Sequence, residues 1–230
     1  MDGSHSQSPC PVAVIMALQS GNTTQVKLVL LGDSGVGKSS IVLRFVADNF
    51  KEDTDATIGA SYMSKMLQIQ EKAIKFNIWD TAGQERYHAL AKMYYRDASA
   101  AILVYDITKR SSFDGLKTWY QELTANGPKN IGTVHTVIAI AGNKEDLAER
   151  EEIDMSEAKA YAQEIGALYR KTSAKTNFGI DQLFREIAGK INPELKAALP
   201  APMPPAGQAT GPVKLQKKDA GAAGKKKGCC

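Results

Sequence analysis

Residues 32–39 read Gly32-Asp33-Ser34-Gly35-Val36-Gly37-Lys38-Ser39, which fits the phosphate-binding pattern G-x-x-x-x-G-K-[ST]. A loop of this form works only between a strand and a helix, so it constrains the architecture as much as the chemistry. Both neighbours are present. Val26-Lys27-Leu28-Val29-Leu30-Leu31 is apolar on nearly every residue, as a buried strand of a parallel sheet is. Beyond the loop, Ile41, Val42, Phe45 and Val46 recur at helical spacing, so the loop opens onto a helix N-terminus. Its glycines let backbone N–H groups converge on phosphate oxygens, and the helix dipole adds to the attraction. Ser34, Gly35, Val36, Gly37, Lys38, Ser39 and Ser40 are the phosphate-side candidates. Lys38 is expected to reach the β- and γ-phosphates, and the Ser39 hydroxyl to ligate Mg²⁺.

Four further stations follow in order. After the first helix comes Thr54-Asp55-Ala56-Thr57-Ile58-Gly59, where Thr57 can complete a magnesium shell while a γ-phosphate is present; Lys51 and Glu52, just before it, are counted with the nucleotide-binding residues. Trp79-Asp80-Thr81-Ala82-Gly83-Gln84-Glu85 follows the strand-like run 73–78. An Asp at that strand end can hold magnesium through water, the Gly83 N–H can meet the γ-phosphate, and Gln84 can orient an attacking water. Asn143-Lys144-Glu145-Asp146 ends the apolar run 135–142. A carboxylate held at a strand end, Asp146, can accept from the N1–H and N2–H₂ of guanine; adenine lacks that donor pair, and a buried carboxylate without a partner costs about 1–3 kcal/mol or more. Lastly, Ser173, Ala174 and Lys175 close the strand-like 167–170 region, where backbone amides can contact guanine O6.

With the stations in this order the chain resembles a small GTPase of the Ras superfamily, over roughly residues 24–191. Gly83-Gln84-Glu85-Arg86-Tyr87, Met93-Tyr94-Tyr95-Arg96, Tyr105-Asp106-Ile107 and the final Cys229-Cys230 resemble the Rab family; Arg86-Tyr87-His88-Ala89-Leu90 and Thr57-Ile58-Gly59-Ala60 resemble its early-endosomal subgroup. Tyr62 and Lys92 depart from that subgroup, which usually has Phe and often Pro there. The resemblance implies an α/β fold with a six-stranded, mostly parallel sheet, an antiparallel edge strand over 61–69, and helices on both faces. Independently, strand-like and helix-like runs alternate along the chain. Ile180, Leu183, Phe184, Ile187, Ala188 and Ile191 form a helical apolar stripe, and Asp154 with Glu157 reads as a helix start stopped at Gly166. The nucleotide then sits at the carboxyl ends of the strands.

The organisation expected is a disordered arm over 1–23, a GTP-binding domain over 24–196 and a flexible basic tail over 197–230. Roughly 165 residues is ample for a single core. Cys10, Cys229 and Cys230 all fall outside that domain, which fits a reducing compartment. The apolar stretch 12–18 has no positive segment before it, since the first basic residue is Lys27, so it does not read as a signal peptide. His5, His88 and His135 show no metal spacing. In the tail, Lys214, Lys217, Lys218, Lys225, Lys226 and Lys227 face Asp219 alone, which is more positive charge than the whole chain's net of +4. The basic character therefore belongs to the tail and does not point to nucleic acid. In a Rab-like chain Cys229 and Cys230 imply two geranylgeranyl groups, and the lysines an anionic membrane surface. A flexible tail of this length reaches about 30 Å, leaving the nucleotide face free.

For function, the resemblance implies a membrane-anchored GTP/GDP switch in endosomal trafficking, tethering and fusion, on the cytoplasmic face of early endosomes with a cytosolic pool. Its expected partners are an exchange factor, an activating protein, a GDP dissociation inhibitor, a prenylation escort protein, and effectors reading Tyr62, Trp79 and Tyr94; a core position is the alternative for Trp79. Ser34, frequent at this loop position in Rabs, is expected to tune hydrolysis. Gln84 and Lys38 are the catalytic candidates. Arg44 and Arg86 are poorly placed to act as a cis arginine finger, so hydrolysis is expected to be slow and an activating partner to add about 10³–10⁵-fold. Two alternatives remain: a P-loop ATPase or nucleotide kinase, which Asn143 to Asp146 argue against, and a GTP-binding scaffold with little hydrolysis, which Thr57 and Gln84 argue against.

Overall fold

The computed structural model describes residues 23–52, 55–69, 72–84, 93–127 and 136–193. Its strands are β1 (Thr23–Leu31), β2 (Ala60–Ile69), β3 (Lys72–Thr81), β4 (Ala100–Asp106), β5 (Val137–Asn143) and β6 (Leu168–Lys171); its helices are α1 (Lys38–Ala47), α2 (Arg110–Asn126), α3 (Met155–Glu164) and α4 (Ile180–Ile191). They form one six-stranded sheet in the order β2-β3-β1-β4-β5-β6. Every pairing is parallel except β2 with β3, so the expected antiparallel edge strand is present. β1 starts one residue earlier than expected: Thr23, assigned to the N-terminal arm, pairs with Ala73. The rest of that arm, Thr54, Glu85, the stretch from Arg86 to Leu90 with His88, Lys92, His135, and the tail with Cys229 and Cys230 lie outside the described residues.

Successive side chains of a strand point to opposite faces, so the apolar strands feed two cores. Val26, Leu28 and Leu30 of β1 join Ile41 and Phe45 of α1 and Leu183, Phe184 and Ile187 of α4 on one face. Val29 and Leu31 join Phe113, Leu116 and Trp119 of α2 and Ala158 and Ala162 of α3 on the other. β4 lies between β1 and β5 and is buried at every residue, which is why it carries no polar alternation. On the first face Phe45 and Phe184 stack with centroids 3.5 Å apart, and Phe76 meets both edge-on.

The end of β3 and the capping of α3 differ from the sequence reading. β3 continues through Thr81, so Trp79 and Asp80 are strand residues paired with Tyr62 and Ser61. At α3, Asp154 caps the helix by accepting from the Ser156 N–H, and Gly166 follows at φ 68°, as expected of a stop. Glu157 does not complete the capping box; it binds Arg110 with two bonds of 2.6 Å. A bidentate charged fork outcompetes the reach back to a single amide.

Candidate nucleotide site

At the carboxyl ends of the strands the loops surround an open cleft of about 440 Å³. Ser34, Gly35, Gly37, Lys38, Ser39, Ser40, Lys51, Glu52, Thr57, Gly83, Asn143, Lys144, Asp146, Ala174 and Lys175 all line it. Val36, Asp80, Ser173 and Gln84 do not. Val36 and Ser173 are buried beneath the cleft wall, where they act through what they hold. Gln84 is half-buried at the edge of the described residues.

The phosphate end is built by the turn from β1 into α1. Gly37 caps α1 at φ 93°, a conformation that favours glycine, and a Cβ there would lie 2.3 Å from Asn143 Nδ2. Lys38 is nearly buried, and its ammonium donates to the carbonyls of Gly32 at 2.6 Å and Asp33 at 2.7 Å. Burial pulls its pKa down to about 8, although the Asp80 and Asp33 carboxylates oppose the shift. Gly83 passes so close that a Cβ would meet Asp33 backbone at 2.4 Å and Lys38 Nζ at 2.5 Å, which brings the Gly83 amide beside the lysine.

Three residues 41 positions or fewer apart in sequence meet beside Lys38. Ser39 Oγ donates to Asp80 Oδ2 at 2.5 Å and lies 2.8 Å from Thr57 Oγ1, which is 3.4 Å from the same carboxylate oxygen. Asp80 is buried; burial raises its pKa, against the hydroxyls of Ser39, Thr57 and Ser61 and the Lys38 ammonium. Its other oxygen, Oδ1, is buried with no hydrogen-bond partner. One carboxylate with an orphaned oxygen and two hydroxyls suits Mg²⁺, which keeps waters and phosphate oxygens in its shell and does not need an all-protein cage. No cluster of three His, Cys, Asp or Glu able to hold a metal occurs among the described residues.

The base end differs in detail from the sequence reading. β5 stops at Asn143, and Asp146 is not held at the strand end: it lies in a 3₁₀ segment, Glu145–Arg150, and is exposed. What aims it is Ser173, whose hydroxyl donates to Asp146 Oδ1. Asn143 is a clamp, donating to the Val36 carbonyl at 2.8 Å and accepting from Thr172 Oγ1 at 3.2 Å. Lys144 takes a left-handed backbone, φ 68°, and its ammonium pairs with Asp106 at 2.8 Å. Burial works against the Asp106 charge, yet Lys144 with the Thr108 amide and hydroxyl holds that carboxyl below its usual range. With its ammonium so occupied, what Lys144 can offer a base is its aliphatic stem. Glu52 and Lys175 bridge across the cleft mouth at 2.7 Å, a contact that holds the Glu52 carboxyl down.

Several participants escaped the sequence reading. Phe50, Asp55, Ala56 and Leu147 also line the cleft, and Phe50 is the aromatic surface available to a purine. Trp119 of α2 donates to Asp33 Oδ1 at 2.9 Å and steadies the phosphate loop from the opposite core. On the outer sheet face Tyr62 meets Trp79 edge-on at 4.9 Å, and its hydroxyl donates to Asn77 at 2.8 Å. Trp79 and Tyr94 are half-buried against one core cluster, so Trp79 is both core and surface. Ile58 and Met93, exposed at 81% and 70%, add apolar area that no motif announces.

A doubly wound sheet with a phosphate loop, a magnesium-type donor set and a carboxylate at the purine end defines a P-loop nucleotide-binding switch protein. The Ras family model matches residues 27–193. The chain is similar to Ras-related protein Rab5A of Oryza sativa subsp. japonica, 52% identical over 177 residues that cover 76% of this chain and 85% of the relative. It is also similar to Ras-related protein Rab-31 of Homo sapiens (53% over 169 residues, 74% and 84%) and Ras-related protein Rab-5A of Dictyostelium discoideum (47% over 206 residues, 90% and 96%). The chain belongs to the Ras family, within its Rab branch. It is a small GTPase that hydrolyses GTP to GDP and phosphate, uses Mg²⁺, and acts as a GTP/GDP switch in endosomal trafficking. Exchange factors, activating proteins, GDP dissociation inhibitors and effectors are its partner classes.

Proposed function

We propose that Lys38 and the amides of residues 34–40 bind the β- and γ-phosphates, that Ser39, Thr57 and Asp80 hold Mg²⁺, and that Asp146 with the amides of Ala174 and Lys175 selects guanine. The observation that carries this is the meeting of Ser39, Thr57 and Asp80 around one orphaned carboxylate oxygen, directly beside the Lys38 ammonium. When bound, Mg²⁺ supplies positive charge to phosphate oxygens. Lys38 adds its own charge, and Gln84 orients the attacking water. Thr57 and the Gly83 amide sense the γ-phosphate, so its loss releases the contacts that hold these two residues. Tyr62, Trp79 and Tyr94, widened by Ile58 and Met93, form the face that effectors read in the GTP state. Geranylgeranyl groups on Cys229 and Cys230, delivered with a prenylation escort protein, anchor the chain to the cytoplasmic face of early endosomes, and a GDP dissociation inhibitor maintains a cytosolic pool.

Hydrolysis is slow in this reading because Arg44, on the helix that Lys38 opens, is already engaged elsewhere, with Asp48 and the carbonyls of Ala174 and Lys175. Purified protein loaded with GTP is expected to turn over far below about 1 s⁻¹ and to accelerate about 10³–10⁵-fold with a Rab-type activating protein. A single-turnover phosphate-release assay decides; fast unassisted turnover refutes the mechanism.

A further inference from the structure

Arg44 stands on α1, the helix that Lys38 opens, and its side chain is only 15% exposed. Its Nε donates to the Ala174 carbonyl at 2.8 Å and its Nη2 to the Lys175 carbonyl at 3.1 Å, so the guanidinium spans two consecutive peptides. Nη1 completes the clasp at Asp48, to the backbone oxygen at 3.0 Å and to Oδ1 at 3.1 Å, and Asn177 donates to that same Oδ1 at 3.2 Å. The turn at the purine end is thus fastened to the helix at the phosphate end.

Among residues 172–176 three amides are engaged within the protein: Thr172 N–H donates to Gly142 O, Ser173 N–H to Phe178 O, and Thr176 N–H to Ser173 Oγ. Of these five residues, Ala174 and Lys175 keep their amides for a ligand, and both line the cleft. A carbonyl and the following N–H share one rigid plane and point opposite ways. Drawing the Ala174 carbonyl onto Arg44 therefore aims the Lys175 N–H away from α1, and fixing the Lys175 carbonyl holds the next peptide. Lysine could not replace this fork, since a point-like ammonium lacks the planar spread across two carbonyls.

We infer that Arg44 is a positioning residue for base recognition: through the Ala174 carbonyl that it holds, it orients the Lys175 amide toward the C6 oxygen of guanine without touching the nucleotide. This rests on the reading, given above, that this amide meets the base. GDP and 6-thio-GDP separate the two claims. The thio analogue keeps the N1–H and N2–H₂ groups that Asp146 would accept from, and replaces the C6 oxygen with sulfur, a weak acceptor. Release rates of both nucleotides are measured by competition from wild type, Arg44→Ala and Arg44→Lys. Wild type is expected to release 6-thio-GDP about 5–10-fold faster than GDP, the effect of one neutral hydrogen bond. Both variants are expected to release GDP about 5–10-fold faster than wild type, with the two nucleotides then leaving within about twofold of each other. Should Arg44→Ala not fold, Arg44→Lys alone carries the comparison. Equal acceleration of both nucleotides with the wild-type ratio preserved overturns the role of Arg44, because general loosening of the domain acts that way. A wild type that does not distinguish the two nucleotides overturns the amide–oxygen reading, and the inference falls with it.

Discussion

Lys38 shows how a single buried charge shapes the site. Its ammonium donates to the Gly32 and Asp33 carbonyls, and burial lowers its pKa from 10.5 to about 8. Between those two values the unfolded chain holds a proton that the folded, nucleotide-free protein has released, so its stability rises with pH through that window. Phosphate oxygens favour the ammonium and pull the pKa back up. Nucleotide binding should therefore take up a proton above about pH 8, and affinity should fall as pH climbs further. Calorimetry of GDP binding at pH 9, in two buffers of different ionisation enthalpy, is expected to show uptake approaching one proton that is absent at pH 7. Zero uptake at pH 9 would mean that Lys38 stays charged when empty. Asp146 offers a second residue-level test. Asp146→Asn replaces two acceptor oxygens with one acceptor and one donor, and the donor matches the C2 oxygen of xanthine. Preference is expected to move from guanosine to xanthosine diphosphate by about 10–100-fold in competition binding, and retained guanine preference would remove Asp146 from base selection.

At the scale of elements, the site is held by bonds that join one structural unit to another. Asn143, the last residue of β5, ties the Val36 carbonyl of the phosphate loop to Thr172 just beyond β6. Val36, Asn143 and Thr172 are all buried, so truncation of Asn143 to Ala strands a carbonyl and a hydroxyl away from water. Asn143→Ala is expected to cost about 1–3 kcal/mol in urea denaturation, and a loss below about 0.5 kcal/mol would show the clamp to be dispensable. This arrangement also explains what could be read in advance. The phosphate loop, Asp80, Gly83 and Asn143 to Asp146 were legible because each motif is contiguous and sits where an apolar run ends. Trp119 to Asp33 and Arg44 to Ala174 were not, being contacts across 86 and 130 residues that leave no local pattern. Local rules also misled where tertiary partners competed. Glu157 reads as a capping-box residue until Arg110, from a different helix, is placed beside it. Asp146 reads as a strand-end residue because nothing in four letters announces a 3₁₀ turn or the Ser173 hydroxyl.

Across the whole molecule, charge is divided between the domain and its tail. The tail's six lysines exceed the chain's net charge of +4, so the remainder is close to neutral and has little electrostatic attraction of its own to an anionic bilayer. No helix among the described residues is long and apolar enough to cross a membrane. The anchor proposed for the carboxyl end has two components, which respond differently to conditions. Each lysine near an anionic surface contributes roughly 1 kcal/mol, screened by salt over about 10 Å at 0.1 M. A lipid chain is insensitive to salt, but a single chain binds only marginally and reversibly. The full-length prenylated protein is therefore expected to sediment with phosphatidylserine-containing vesicles and to remain bound at 0.5 M salt. Cys229→Ser or Cys230→Ser alone, left with one chain, should bind at low salt and dissociate at high salt, since there the lysines supply the second signal. The double variant should stay in the supernatant at both. Salt-resistant sedimentation of the double variant would move the anchor out of Cys229 and Cys230, while leaving the nucleotide chemistry of the domain as it stands.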